Sequence, residues 1–128
     1  MSLRSPLGRV LNHGAAHDGV GHWWVQRLTA VALAPLCLWL VLSLLSLPTT
    51  DHAAVSAWIA AGLHPVWLSL TVLLAAWHGW LGLQIVIEDY VHGGGARLTL
   101  LLLSTFINAL LAASGVYAVL RIALRTAA

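Results

Sequence analysis

The sequence contains no lysine, one cysteine, one phenylalanine and only four acidic residues in 128. Charged side chains make up 8% of it, against roughly a quarter in an ordinary soluble domain. Each shortage removes a class of protein. With so little charge and 60% hydrophobic residues, the chain is neither a soluble globular domain nor a disordered one. Its six arginines are scattered, so the basic pI of 9.3 does not mark a nucleic-acid-binding surface, which needs clustered Lys and Arg. The lone Cys37 stands inside an apolar run, which excludes a disulfide framework and a cysteine-ligated metal site within the chain. What remains is a small integral membrane protein.

Three runs are long enough to cross a bilayer: 28–47, 65–87 and 98–120. The first and third hold no charge, and the second holds one ionisable group, His78. At 1.5 Å per residue they reach about 30–35 Å, the thickness of a hydrocarbon core. None alternates as a barrel strand does, so all three read as helices. The expected fold is an all-α membrane protein, one domain over 1–128, with no room for a soluble domain. The first run is longer than a signal-peptide core and lacks a clear cleavage site, so it reads as a retained helix. Arg4, Arg9, Arg27 and Arg97 fall on one side of three spans, and Arg121 and Arg125 on the other. The positive-inside rule then places the N-terminus in the cytoplasm. Between the first two spans, Asp51 can cap a short helix over 53–63, with Trp58 at the outer interface.

The polar groups inside or beside the spans carry the functional question. His78 lies near mid-membrane, where a histidine should face protein, a cavity or a metal. Ala75, Gly79 and Gly82 beside it permit either close helix approach or space for a flat macrocycle. Imidazole is the axial ligand of a b-type haem, but a packing histidine bonded to a neighbouring helix is an equal reading. Asp89 follows His78 by 11 residues, about 20° off three full turns, so His78, Gly82, Ile85 and Asp89 share a face. Tyr90 adjoins it with a phenolic O–H. Such a pair suits a quinone, whose reduction takes up two protons, but the residues alone favour an ordinary juxtamembrane charge and aromatic anchor. Arg27 can bind a carboxylate such as a haem propionate, or simply anchor the helix end. Asn108, Ser104, Thr105, Ser114 and Gly115 read as helix-packing residues of the third span. His64 precedes His78 by 14 residues and would suit a second haem, but it directly precedes Pro65, a position biased away from helix.

The run His78-Gly79-Trp80-Leu81-Gly82, continuing to Asp89-Tyr90-Val91, resembles the signature of the small hydrophobic membrane anchor subunit of succinate dehydrogenase, respiratory complex II. That family shows His-x-Trp-x-Gly followed by Asp-Tyr-Val, with His and Asp spaced by 11. The segment Gly21-His22-Trp23-Trp24-Val25-Gln26-Arg27-Leu28-Thr29-Ala30 also resembles the stretch before the family's first helix. The resemblance covers nearly the whole chain. Gly93-Gly94-Gly95 and Glu88 are not part of the family pattern.

The resemblance implies three transmembrane helices in a bundle shared with the cytochrome b subunit. It implies that His78 is an axial ligand of haem b and that Arg27 lies near the haem propionates. It implies that Tyr90 hydrogen-bonds ubiquinone beside Asp89. Partners would be the cytochrome b, iron–sulfur and flavoprotein subunits, in a bacterial inner membrane. The chain itself offers no flavin site, no dicarboxylate site and no cysteine ligand set, so it would be one component of the enzyme and not an enzyme alone. Two rivals stand beside this reading: a non-redox structural membrane subunit, and a two-haem quinol-linked anchor that also uses His64.

Overall fold

The structure, a computed structural model, describes the backbone of residues 16–126 and the side chains of residues 20–125. Arg4, Arg9 and His13, two of them used for the orientation, lie outside the described residues. Among the described residues four helices follow one another: α1 (Ala16–Leu45), α2 (His52–Ala60), α3 (His64–Tyr90) and α4 (Gly94–Thr126). Among the described residues there is no strand, as the apolar runs require. Three segments are long and apolar enough to cross a membrane: Val20–Leu45, His64–Tyr90 and Gly94–Arg125. The chain is a multi-pass, all-helical membrane protein.

The helices overrun most of the charge-free runs, because backbone hydrogen bonding continues through the polar residues at the interface. α1 is the exception at its far end. It stops at Leu45, not Leu47, and tightens as Leu47 N–H donates to the Leu44 carbonyl at 3.2 Å. Pro48 follows, and a pre-proline residue is biased away from helix. Asp51 caps α2 as expected, accepting the Ala54 N–H at 2.7 Å and the Thr49 hydroxyl at 2.9 Å. The Ala54 N–H, then the Thr49 hydroxyl, hold this carboxyl below its ordinary value. α2 ends at Ala60, three residues before the expected 63, since Gly62 turns the chain at φ +50°. His64 is the first residue of α3, where a non-helical residue was expected. Pro65 sits in the first turn, where its missing N–H has no intrahelical partner to lose, and Leu63 takes the boundary position instead.

α3 is the middle helix. It packs against α1 on one side and α4 on the other, while among the described residues α1 and α4 do not pack together. The arrangement is therefore an open row, not a closed three-helix bundle. α2 lies across the ends of α3 and α4. Among the described residues the buried hydrophobics are only Leu36, Leu81 and Ile87, and Phe106 is 71% exposed. Such a surface is tolerable only against lipid or a partner helix.

The α3–α4 seam is close-packed. A Cβ on Gly115 would stand 2.7 Å from Val72 Cγ1, so this glycine lets the two helices touch. The Trp80 indole N–H donates to Thr105 Oγ1 at 2.9 Å across the same seam. Ser104 is buried, and Asn108 donates to the Ser104 carbonyl within its own helix. Ser114 is exposed and bonds its own helix too. Ala75 and Gly79 turn outward: a Cβ on Gly79 would meet nothing within 4 Å. Within this chain they leave space beside His78 and do not bring two helices together.

Candidate functional site

The α1–α3 seam holds the polar groups. His22, Gln26 and Thr29 follow one another at spacings of four and three, a strip about 60° wide on α1. This strip faces His78 of α3. Thr29 is 6% exposed, and its Oγ1 lies 2.9 Å from His78 Nδ1. The same hydroxyl is within reach of the Val25 and Gln26 carbonyls, at 2.9 and 3.0 Å. On the other side of the ring, Gln26 Nε2 lies 3.3 Å from His78 Nε2.

These contacts select a tautomer. The Thr29 hydroxyl donates to a backbone carbonyl, so its oxygen accepts from His78 Nδ1–H, which leaves Nε2 as the lone-pair nitrogen beside the Gln26 amide. A metal-ligating histidine is held in the same way, with its second nitrogen tied to an oxygen and the first left free to bind. The seam also contains two buried polar atoms with no hydrogen-bond partner, His22 Nε2 and Gln26 Oε1. Each costs about 1–3 kcal/mol when left so. Together with the open flank at Gly79, this donor set would fit a planar group held through His78 Nε2. Gln26 stands where that bond would form and would have to swing aside. Among the described residues no three His, Cys, Asp or Glu side chains converge, so any metal here would draw on His78 and on ligands from outside the chain.

Arg27 does not join this strip. It is about 100° round from Gln26, with its guanidinium 4.7 Å from the centre of the Trp23 ring. Trp23 in turn meets Trp24 edge-on at 5.1 Å. Asp89 and Tyr90 end α3 as expected, about 16 Å along the axis from His78. Both are exposed, Tyr90 to 79%, and neither has a hydrogen-bond or ion-pair partner among the described residues. They are thus presented outward, with Glu88 beside them.

His64 has a packing role at the opposite end of α3. Its Nδ1 donates to the Trp58 carbonyl at 2.6 Å, which ties α3 to α2. Its ring lies 4.9 Å from Trp58 and 5.6 Å from Trp39. Trp39 stacks on Trp58 at 5.9 Å and meets Trp67 at 6.3 Å. Trp39, Trp58 and Trp67 therefore form, with His64, one cluster joining α1, α2 and α3.

Sequence reasoning did not find Thr29 and Gln26 as the neighbours of His78. Their helical spacing at the start of an apolar run was the available signal. Which helix they would face is not written in that spacing.

Comparison with known proteins bears on the whole of this site. Residues 1–117 match the family described as succinate dehydrogenase/fumarate reductase transmembrane subunit. The chain is 31% identical over 102 residues to the succinate dehydrogenase hydrophobic membrane anchor subunit of Rickettsia conorii, covering 79% of this chain and 81% of that one. It is 31% identical over 100 residues to the corresponding subunit of Rickettsia bellii, covering 78% and 80%. It is 28% identical over 93 residues to the succinate dehydrogenase membrane anchor subunit of Reclinomonas americana, covering 70% and 78%. No solved structure gives a significant match.

Proposed function

The chain belongs to the family of succinate dehydrogenase/fumarate reductase transmembrane subunits, and we propose that it is the anchor through which a succinate dehydrogenase meets its haem and its quinone. As a membrane anchor subunit of succinate dehydrogenase it works within a complex with other subunits. The observation that carries the finer reading is His78. This imidazole has one nitrogen tied to the Thr29 hydroxyl and the other against the Gln26 amide, which would swing aside to free its lone pair.

His78 Nε2 is the atom of this chain that would hold haem b, and the cytochrome b subunit would supply the other ligand. Thr29 fixes the tautomer and the ring angle. Haem b, when bound, holds and passes single electrons. Arg27 is one long side chain away on the neighbouring flank of α1 and can reach a propionate carboxylate if it leaves Trp23. At the inner end of α3, the Tyr90 O–H donates to a ubiquinone carbonyl, and Asp89 beside it delivers a proton as that oxygen is reduced. Tyr90 and Asp89 stand exposed, so the rest of the quinone pocket comes from the iron–sulfur and cytochrome b subunits. The exposed apolar flanks of α1, α3 and α4 take lipid and the cytochrome b helices. The soluble flavoprotein and iron–sulfur subunits attach on the inner face. The Rickettsia relatives support placing the complex in a bacterial inner membrane.

The test is purification of the intact complex through this chain in mild detergent, followed by its reduced-minus-oxidised spectrum. Flavin, iron–sulfur proteins and a b-type band should co-purify. The same partners without a haem band would remove the ligand role of His78 and leave the non-redox anchor.

A further inference from the structure

Two of the six arginines take no part in the seams or in the inner end of α3. Arg121 and Arg125 lie one turn apart on α4, immediately beyond its apolar run, at the end opposite Arg27 and Arg97. An excess of arginine at one end sets orientation, and these two weaken that excess. A cation in the last helical turn complements the helix dipole, which accounts for Arg125 alone. It does not account for the convergence on α2. His52 and Ser56 are also one turn apart, and with Arg121, Arg125, Ala118 and Ile122 they line a cavity of about 530 Å³ between α2 and α4.

The charges in this cavity are unbalanced. Of the described acids, Glu88 and Asp89 stand at the far end of α3. Asp51, next to His52, has one oxygen on the Ala54 N–H and the other on the Thr49 hydroxyl. Among the described residues no carboxylate pairs with either guanidinium. The cavity's depth is fixed by its neighbours: the apolar run of α4 ends where Arg121 begins, and α2 carries Trp58 in the interfacial Trp cluster. Two guanidiniums, a hydroxyl and an imidazole at headgroup depth form a donor set for a phosphodiester. Below it α4 is apolar and exposed, as acyl chains require.

We propose that the cavity between α2 and α4 binds the phosphate headgroup of an anionic phospholipid through Arg121 and Arg125, with His52 and Ser56 completing the site. This site is separate from His78 and Tyr90, and its test does not depend on their roles.

The experiment uses the assembled complex, delipidated in detergent and titrated with phosphatidylglycerol or phosphatidylcholine, with bound lipid read by native mass spectrometry. The wild type should prefer phosphatidylglycerol by roughly thirtyfold, since each arginine near a membrane surface contributes about a factor of five. The double variant Arg121→Gln/Arg125→Gln should lose that preference, and Arg97→Gln should keep it. Should the double variant fail to assemble, Ser56→Ala with His52→Gln tests the α2 side, and a reduced preference is expected. An unchanged preference in these variants would overturn the proposal. Complete displacement of phosphatidylglycerol by millimolar inorganic phosphate would also overturn it, in favour of a soluble anion.

Discussion

The two seams of α3 are built from different materials. Against α4, the seam is made of contact: Gly115 under Val72, and one indole N–H on the Thr105 hydroxyl. Against α1, it is made of hydrogen-bonding groups, two of them buried without partners. Ser69 Oγ of α3 is a third buried atom without a partner, so what sets the α1 side apart is the imidazole held across the seam by Thr29 and Gln26. The difference supports placing the proposed chemistry on the α1 side of α3.

Substitutions can break that division, and the largest effect is expected in the contact seam. Gly115→Leu drives a side chain into Val72 and should cost about 3 kcal/mol or more, read as lost assembly or a lower unfolding midpoint in detergent. Val72→Ala should recover part of the loss in Gly115→Ala, since it removes the clashing methyl groups. A Gly115→Leu protein as stable as the wild type would mean that α3 and α4 do not touch there.

Tyr90→Phe tests the outward-facing end of α3. It removes one hydrogen-bond donor and should lower quinone reduction about tenfold. Succinate oxidation with an artificial acceptor should hold steady. Equal losses in both assays would place Tyr90 in structure and not at the quinone. Thr29→Val sharpens the polar seam. It keeps the side-chain shape and removes the acceptor for His78 Nδ1–H, so haem affinity should fall about tenfold to a hundredfold. Thr29→Ser should restore it, and a Val variant with wild-type haem content would make Thr29 a packing residue only.

The smallest effect belongs to Asp51, outside both seams. Its carboxyl is held below the ordinary value of 3.8, so its capping contribution is complete above that value. The contribution is lost as the pH falls through the depressed value. Amide exchange in α2 should accelerate under acid in the wild type, and already at neutral pH in Asp51→Ala. Exchange that ignores both acid and the substitution would remove Asp51 as the cap.

Much of the fold could be read from residues in order. Charge-free runs mark the spans, and Asp51 marks the start of α2, because these signals are local. The end of α2 escaped, since Gly62 reverses the chain before the apolar pattern stops. The helical start at His64 escaped because the bias against a pre-proline residue yields once Pro65 sits in a first turn. At the site, His78 was legible as a lone imidazole at membrane depth. Its bond to Thr29 was not, because the two lie 49 residues apart and only the antiparallel pairing of α1 with α3 joins them. Ala75 and Gly79 have the spacing of a helix contact, yet they face outward, because sequence does not say which flank of a helix finds a partner.

The division between the seams rests above all on His78. The decisive measurement is the reduced-minus-oxidised spectrum of the complex carrying His78→Ala, recorded beside the wild type with flavoprotein and iron–sulfur subunits verified in both. A b-type band lost from the variant while its partners remain is the predicted result. An undiminished band in a fully assembled His78→Ala complex would contradict the account.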